Sequence, residues 1–218
     1  MNEIANRQAY AVVKKAYNTK QRNPVTTNSD LRLIVPIVSG KTSYTFPIIN
    51  GEDPNNYPDS VLLDRSDSFT AIALGLHIGK KATASDTHYD LFSYANASEF
   101  GASADDLKTI YNATINMTID NVQFLQNFST FRNRFAPITQ YGQLEYASAP
   151  YVNQDSFDGN TGGFTPLVPT LQMNGGSKVN IVLNLPEAVA QLASGGTIVI
   201  VVTLRGFLSL GASNFNLK

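Results

Sequence analysis

The sequence predicts an all-β fold, a jelly-roll-type antiparallel β-sandwich preceded by a short amphipathic helix or arm. The most apolar run, 197–204 ("TIVIVVTL"), is rich in β-branched residues and far shorter than a membrane-spanning helix. Residues 114–120 ("TINMTID") alternate apolar and polar side chains, a pattern typical of a half-buried antiparallel strand. Eight to ten such runs, separated by turn residues and without a fixed repeat, favour a jelly roll.

The N-terminal segment predicts a helix over residues 3–20, because its apolar residues recur at intervals of three and four. A polar stretch with a proline follows. We therefore divide the chain into an arm and connector at 1–29 and a single β-domain at 30–218. The apolar stripe comprises Ile4, Ala5, Ala9, Val12, Val13, Ala16 and Tyr17, and Lys14, Lys15 and Lys20 lie off it.

The first half of the β-domain predicts several strands. Residues 31–38 ("LRLIVPIV") and 42–49 ("TSYTFPII") flank a short turn and predict a hairpin. Pro36 and Pro47 place both strands at sheet edges or bulges, because proline cannot donate to a central ladder. The runs "SVLLDR", "SFTAIALGLHIG" and "HYDLFSYAN" predict three more strands. The second alternates Phe69, Ala71 and Ala73 with Thr70, Ile72 and Leu74.

The second half is less regular. Residues 103–111 ("SADDLKTIY") predict a helical turn capped by Ser103 or Asp105. Residues 123–135 ("QFLQNFSTFRNRF") fit either a strand or a helix, since their phenylalanines have helical spacing. We expect a long loop insertion near 136–177, followed by the strands "KVNIVLNLP" and "TIVIVVTLRGFL".

The run at 197–204 predicts a central strand covered on both faces, because a water-facing strand would alternate. Arg205 follows this run. We expect its guanidinium to point outward or to pair with a carboxylate at the rim, with an intersubunit contact as the alternative.

Composition excludes several classes of function. The chain has a net charge of -1, with 15% charged residues and no cysteine. It therefore carries no disulfide or thiolate site, and overall electrostatics do not attract nucleic acid. The basic charge is concentrated in residues 1–23, which hold five basic side chains and one glutamate. The opening residues lack an apolar signal-peptide core, so we expect no signal peptide.

No catalytic constellation stands out. His77 and His88 have no metal-ligand spacing, and both the nucleophile-elbow and phosphate-loop motifs are absent. We therefore expect no enzymatic activity, no cofactor and no small-molecule substrate. One weak calcium candidate is the oxygen-rich set Asp155, Asp158 and Asn160, whose spacing differs from an EF-hand.

Candidate contact residues fall in three places. The basic arm fits a neighbouring subunit, a membrane or nucleic acid, or else packs on the sandwich surface. Loop aromatics suit intersubunit anchoring, although they fit a roof over the core equally well. The predicted interface residues are Arg7, Lys14, Lys15, Tyr17, Tyr141, Tyr146, Tyr151 and Arg205.

A resemblance to a known class of proteins extends over most of the chain. It rests on the basic arm, on the Asn- and Thr-rich loops, and on the segments "RLIVPIVSGKTSYTFPI", "FAPITQYG" and "LRGFLSLG". The chain resembles capsid-type structural virion proteins of bacteriophages that infect Bacteroidetes such as Flavobacterium and Cellulophaga. It is shorter than the double-jelly-roll capsid proteins of membrane-containing phages, which leaves a major, minor or decoration role open.

The resemblance implies a protein that self-assembles into a capsid shell or a capsid-associated oligomer. It implies a homo-oligomer with other virion proteins as partners, and location in the virion after synthesis in the bacterial host cytoplasm. A carbohydrate- or receptor-binding jelly roll, such as an adhesin or spike, is the alternative function.

Overall fold

The computed structural model describes residues 3–18, 24–51, 59–81, 83, 88–95, 97–135, 163–190 and 197–213. These residues form nine strands and a few helices, which confirms the prediction of an all-β sandwich. The strands are β1 Thr26–Pro36, β2 Ser43–Phe46, β3 Ser68–Lys80, β4 Asp90–Phe92, β5 Thr114–Ile119, β6 Val122–Ser129, β7 Phe164–Asn174, β8 Val179–Asn184 and β9 Ile198–Ser209. The helices are α1 Glu3–Asn18, α2 Ala97–Phe100 and α3 Ala104–Leu107, with 3-10 turns at Gly101–Ser103, Lys108–Asn112 and Thr130–Asn133.

The strands form two antiparallel sheets. Sheet A has the order β1-β9-β3, and both β7 and β4 pair with the remaining edge of β3. Sheet B has the order β2-β8-β5-β6. Four of the pairs are nested in sequence: β1 with β9, β2 with β8, β3 with β7, and β5 with β6.

One hydrophobic core joins the inner faces of the two sheets. Phe69 and Leu76 from sheet A and Phe46, Met117 and Ile181 from sheet B are all 0% exposed within it. Burying a side chain of this size contributes about 1.5–3 kcal/mol. The core therefore holds the two sheets face to face.

The two strands that the pattern defines most clearly are confirmed. Every residue of β9 is buried or nearly so, and β9 lies between β1 and β3 in the centre of sheet A. In β5, Ile115, Met117 and Ile119 are buried, whereas the residues between them are half exposed. Strand β5 therefore has a polar outer face, as expected.

Two separate elements cover the outer face of sheet A. Helix α1 places Val13 and Tyr17 against Phe207 and Ala212, with Ile72 beside them. Packing of the arm on the sandwich is one of the two alternatives that the sequence leaves open. Within the described part of the chain, every helix falls short of the length and apolarity that a membrane crossing demands.

At the other end of sheet A, the segment 89–91 forms the second cover. Tyr89 and Leu91 pack on Ile34, Val199 and Val201. These residues point away from the main core, so β9 is buried on both faces over most of its length.

A β-bulge at Ile72 changes which residues of β3 point into the core. Phe69 and Ala71 point into the core before the bulge, whereas Leu74 and Leu76 do so after it. The extra residue, Ile72, faces α1 instead. The simple alternation that the sequence predicts for this strand therefore holds only up to the bulge.

The predicted hairpin at 31–38 and 42–49 is wrong, because β1 and β2 lie in different sheets. The connection crosses the sandwich, and Tyr44 fixes it: its hydroxyl donates to Val38 O at 3.1 Å. The edge positions of the prolines are confirmed. Pro36 ends β1 at an edge of sheet A, and Pro47 follows β2 at an edge of sheet B.

Several element assignments also differ from expectation. Strand β7 at Phe164–Asn174 lies inside the range 136–177 that was assigned to a loop. Its prolines argued against a strand, but β7 pairs with the edge of β3 opposite β9. Residues 123–135, which fit a strand or a helix, form most of strand β6 and a 3-10 turn, so the strand alternative is the one observed. The segment "SVLLDR" makes only isolated bridges at Val61 and Leu63. Strand β1 begins at Thr26, four residues before the predicted start of the β-domain.

Candidate functional site

The end of β9 carries Arg205 across the outer face of sheet A. Its Nε lies 3.9 Å from Asp30 Oδ2, which confirms the predicted pairing with a carboxylate. Its guanidinium also lies 3.8 Å above the Phe164 ring. The ring fits there because Gly75 has no side chain: a Cβ at Gly75 would lie 2.6 Å from Phe164 Cε1. His77 is fully buried on the other side, its ring centroid 5.5 Å from that of Phe164.

Asp30, the partner of Arg205, has a side chain that is 53% exposed. Burial raises the pKa of the Asp30 carboxyl, and the positive charge of Arg205 opposes that rise. Asp30 and Arg205 are register partners on β1 and β9, so their ion pair links the two adjacent strands.

Helix α1 separates the predicted arm residues into two groups. Tyr17 is 2% exposed and packs against the chain's own sheet, with its hydroxyl 3.5 Å from Gln172 Nε2. Arg7, Lys14 and Lys15 lie on the exposed side of the helix. A contact of these three basic side chains with a partner stays a prediction.

A third region is the stretch 122–135, which we call the β6 flank. It contains three exposed phenylalanines: Phe124 is 46% exposed, Phe131 60% and Phe135 44%. Large apolar side chains at this exposure are candidates for contacts with another molecule.

The β6 flank also carries two exposed arginines and no acidic residue. The guanidinium of Arg132 lies 5.7 Å from the Phe128 ring centroid. Two buried polar residues fix the flank to the sandwich. Thr130 Oγ1 donates to Ile110 O at 2.8 Å, and Asn133 Nδ2 donates to Leu74 O at 2.8 Å.

Three of the edge strands, β1, β6 and β7, are poorly suited to pairing with another strand. Strand β6 has two bulges, and at one of them Asn127 has φ 50° and its N–H donates to Asn116 Oδ1. Strand β7 contains Pro166 and Pro169, which have no N–H to donate. Backbone bonds from Val61 cover part of the β1 edge. Contact through side chains is therefore favoured over sheet extension.

The remaining predicted site residues lie in other settings. His88 is exposed, whereas His77 is buried, and the described residues hold no group of three or more potential metal ligands. The calcium candidates Asp155, Asp158 and Asn160 and the aromatics Tyr141, Tyr146 and Tyr151 lie outside the described residues.

Comparison with known proteins adds no relative. No protein-family model matches the chain, and no curated protein matches it.

Proposed function

We propose that the sandwich is a jelly roll and that the protein is a structural virion protein of a bacteriophage, which acts by assembly and not by catalysis. The nested strand pairs support the jelly roll. A single long antiparallel hairpin that wraps around a core pairs its first strand with its last, its second with the one before, and so on inward. The pairs β1–β9, β2–β8, β3–β7 and β5–β6 follow this rule, with β4 as an addition.

The β6 flank is the observation that carries the assembly proposal, because a fold by itself does not define a function. Aromatic residues and arginine are enriched in the centres of protein interfaces, and acidic residues are depleted there. Phe124, Phe131 and Arg132 combine these features on a segment that buried hydrogen bonds hold in place. Low overall charge also permits close approach of many copies.

The test is the association state of the full chain. It is measured by sedimentation velocity over a concentration series and by electron microscopy. We expect the wild-type chain to form oligomers or shells. The double variant Phe124→Ser/Phe131→Ser removes two exposed anchors and should raise the dissociation constant by about 30-fold or more, as for a lost interface hot spot.

Val168→Ser is the matched control. Val168 is also an exposed apolar residue, 92% exposed, but it lies on β7 of the other sheet. It should associate like the wild type. A wild-type chain that stays monomeric at its highest soluble concentration overturns the proposal, as does a double variant that assembles normally while circular dichroism shows an intact sandwich.

A further inference from the structure

We propose that a cleft on the outer face of sheet A binds a small organic carboxylate, a role that goes beyond assembly. The cleft has a volume of about 210 Å³ and lies between β1 and the segment 88–91 that covers β9. It is smaller than the roughly 300–1,000 Å³ typical of sites for drug-sized ligands. It therefore suits a ligand with a compact body.

The base of the cleft is apolar. Ile34 and Val201 are register partners on adjacent strands, and Leu91 approaches them from β4. Ile34 is 4% exposed and Val201 is 0% exposed. A ligand body resting on them must be apolar, since no polar partner is offered there.

Arg32 supplies the positive charge at the wall of the cleft. Its backbone exchanges two hydrogen bonds with Val61, and its Nε donates to Asp59 O at 3.1 Å. These bonds fix the direction of the guanidinium. No described residue accepts a hydrogen bond from its Nη atoms, which are therefore open to a ligand.

The acidic side chain in the cleft belongs to Asp59, and another cation already pairs with it. Lys81 Nζ lies 3.3 Å from Asp59 Oδ2, and the same ammonium lies 4.4 Å from the Tyr89 ring centroid. The charge of Arg32 is thus left uncompensated by Asp59. His88, which is exposed, also lines the cleft.

Together these features select a carboxylate with an apolar body. The planar guanidinium matches the two oxygens of a carboxylate, whereas the apolar base disfavours a fully hydrated inorganic phosphate. A sugar ring would need a free aromatic face. The faces of Tyr89 are restricted, because Lys81 lies over its ring and a Cβ at Gly79 would lie 3.3 Å from Tyr89 Cδ1.

The test is titration of the full chain with benzoate. Binding is measured by calorimetry and by chemical-shift changes in NMR spectra. Benzamide is the neutral isostere, and inorganic phosphate is the anion without an apolar body. We expect saturable binding of benzoate alone. Arg32→Gln should weaken that binding at least tenfold, with Arg32→Lys in between because it keeps the charge but loses the planar pair of donors.

Arg65→Gln is the matched control, because Arg65 is exposed and lies outside both the lining of the cleft and the β6 flank; this variant should bind benzoate like the wild type. Thermal unfolding of each variant verifies that the sandwich is intact. Equal binding of benzamide, stronger binding of phosphate, or unchanged affinity in Arg32→Gln each overturns the proposal, and so does an absence of saturable benzoate binding.

Discussion

The outer faces of the two sheets differ in what covers them. In sheet A, β3 and β9 are buried on both sides, because α1 and the segment 89–91 lie over them. In sheet B, β5 and β8 alternate between buried and half-exposed or exposed residues. For β9 and β5 the sequence shows this difference directly: a continuous apolar run marks the covered strand β9, and alternation marks the open strand β5.

Removing the cover from sheet A should have the largest effect. Tyr17→Ala deletes the most deeply buried ring of α1 and leaves Phe207 exposed to water. We expect a loss of about 2–3 kcal/mol in the free energy of unfolding, measured by urea denaturation. Tyr17→Phe removes only the hydroxyl and should cost less than about 1 kcal/mol. Equal stability of the two variants would show that α1 does not cover the sheet.

A matched pair of substitutions sharpens the comparison further. Val201→Thr puts a hydroxyl on the covered face of sheet A and should cost about 1–3 kcal/mol, because the group loses water. Val182→Thr makes the same change on the half-exposed face of β8 and should cost less than about 0.5 kcal/mol. Similar losses in both variants would contradict the assignment of one covered and one open face.

The smallest expected effect concerns Asp30. Because burial raises its pKa in the folded state above the usual value near 3.8, the folded chain holds this proton more firmly than the unfolded chain. Stability should therefore fall as the pH rises from just below 3.8 through the folded pKa, and then level off. Asp30→Asn removes this titration, so its unfolding free energy should lack that fall. The difference in unfolding free energy between the wild type and Asp30→Asn isolates this group, and a difference that shifts in favour of the wild type as the pH rises through the window would contradict the direction.

Strands whose environment is uniform along their length were predictable from the sequence. The run 197–204 corresponds to β9, because a strand buried on both faces has consecutive apolar residues. The alternation at 114–120 corresponds to β5, because a strand buried on one face has an apolar residue at every second position. The ion pair of Arg205 with a carboxylate was also expected, since a charge at the end of a buried strand needs a partner.

Features that depend on distant neighbours were not predictable. The turn at 39–41 looks like a hairpin turn, but the neighbours of β1 and β2 are β9 and β8. Strand β7 contains prolines that local rules exclude from a strand, yet its position at the edge of β3 tolerates them. The bulge at Ile72 moves one residue from the core to the α1 side, which only the packing of α1 reveals.

The candidate surfaces were predictable in part. The basic residues of α1 were expected on an exposed side, and they lie there. The exposure of Phe124 and Phe131 was not predicted, because residues 123–135 fit a strand as well as a helix and the pattern therefore did not define their buried side. The cleft beside Arg32 joins residues from β1, β4 and β9 with Asp59, and no local pattern brings these segments together.

The nested order of the strands has a consequence for synthesis of the chain. Strand β9 lies between β1 and β3, yet it is the last of the nine strands to leave the ribosome. The local hairpin β5–β6 can close during translation, whereas β3 has only the three-residue strand β4 as a nearby partner, and its long partner β9 lies more than a hundred residues downstream. Nascent chains should therefore leave the β9-facing edge of β3 unpaired until β9 emerges, a state that is prone to aggregation.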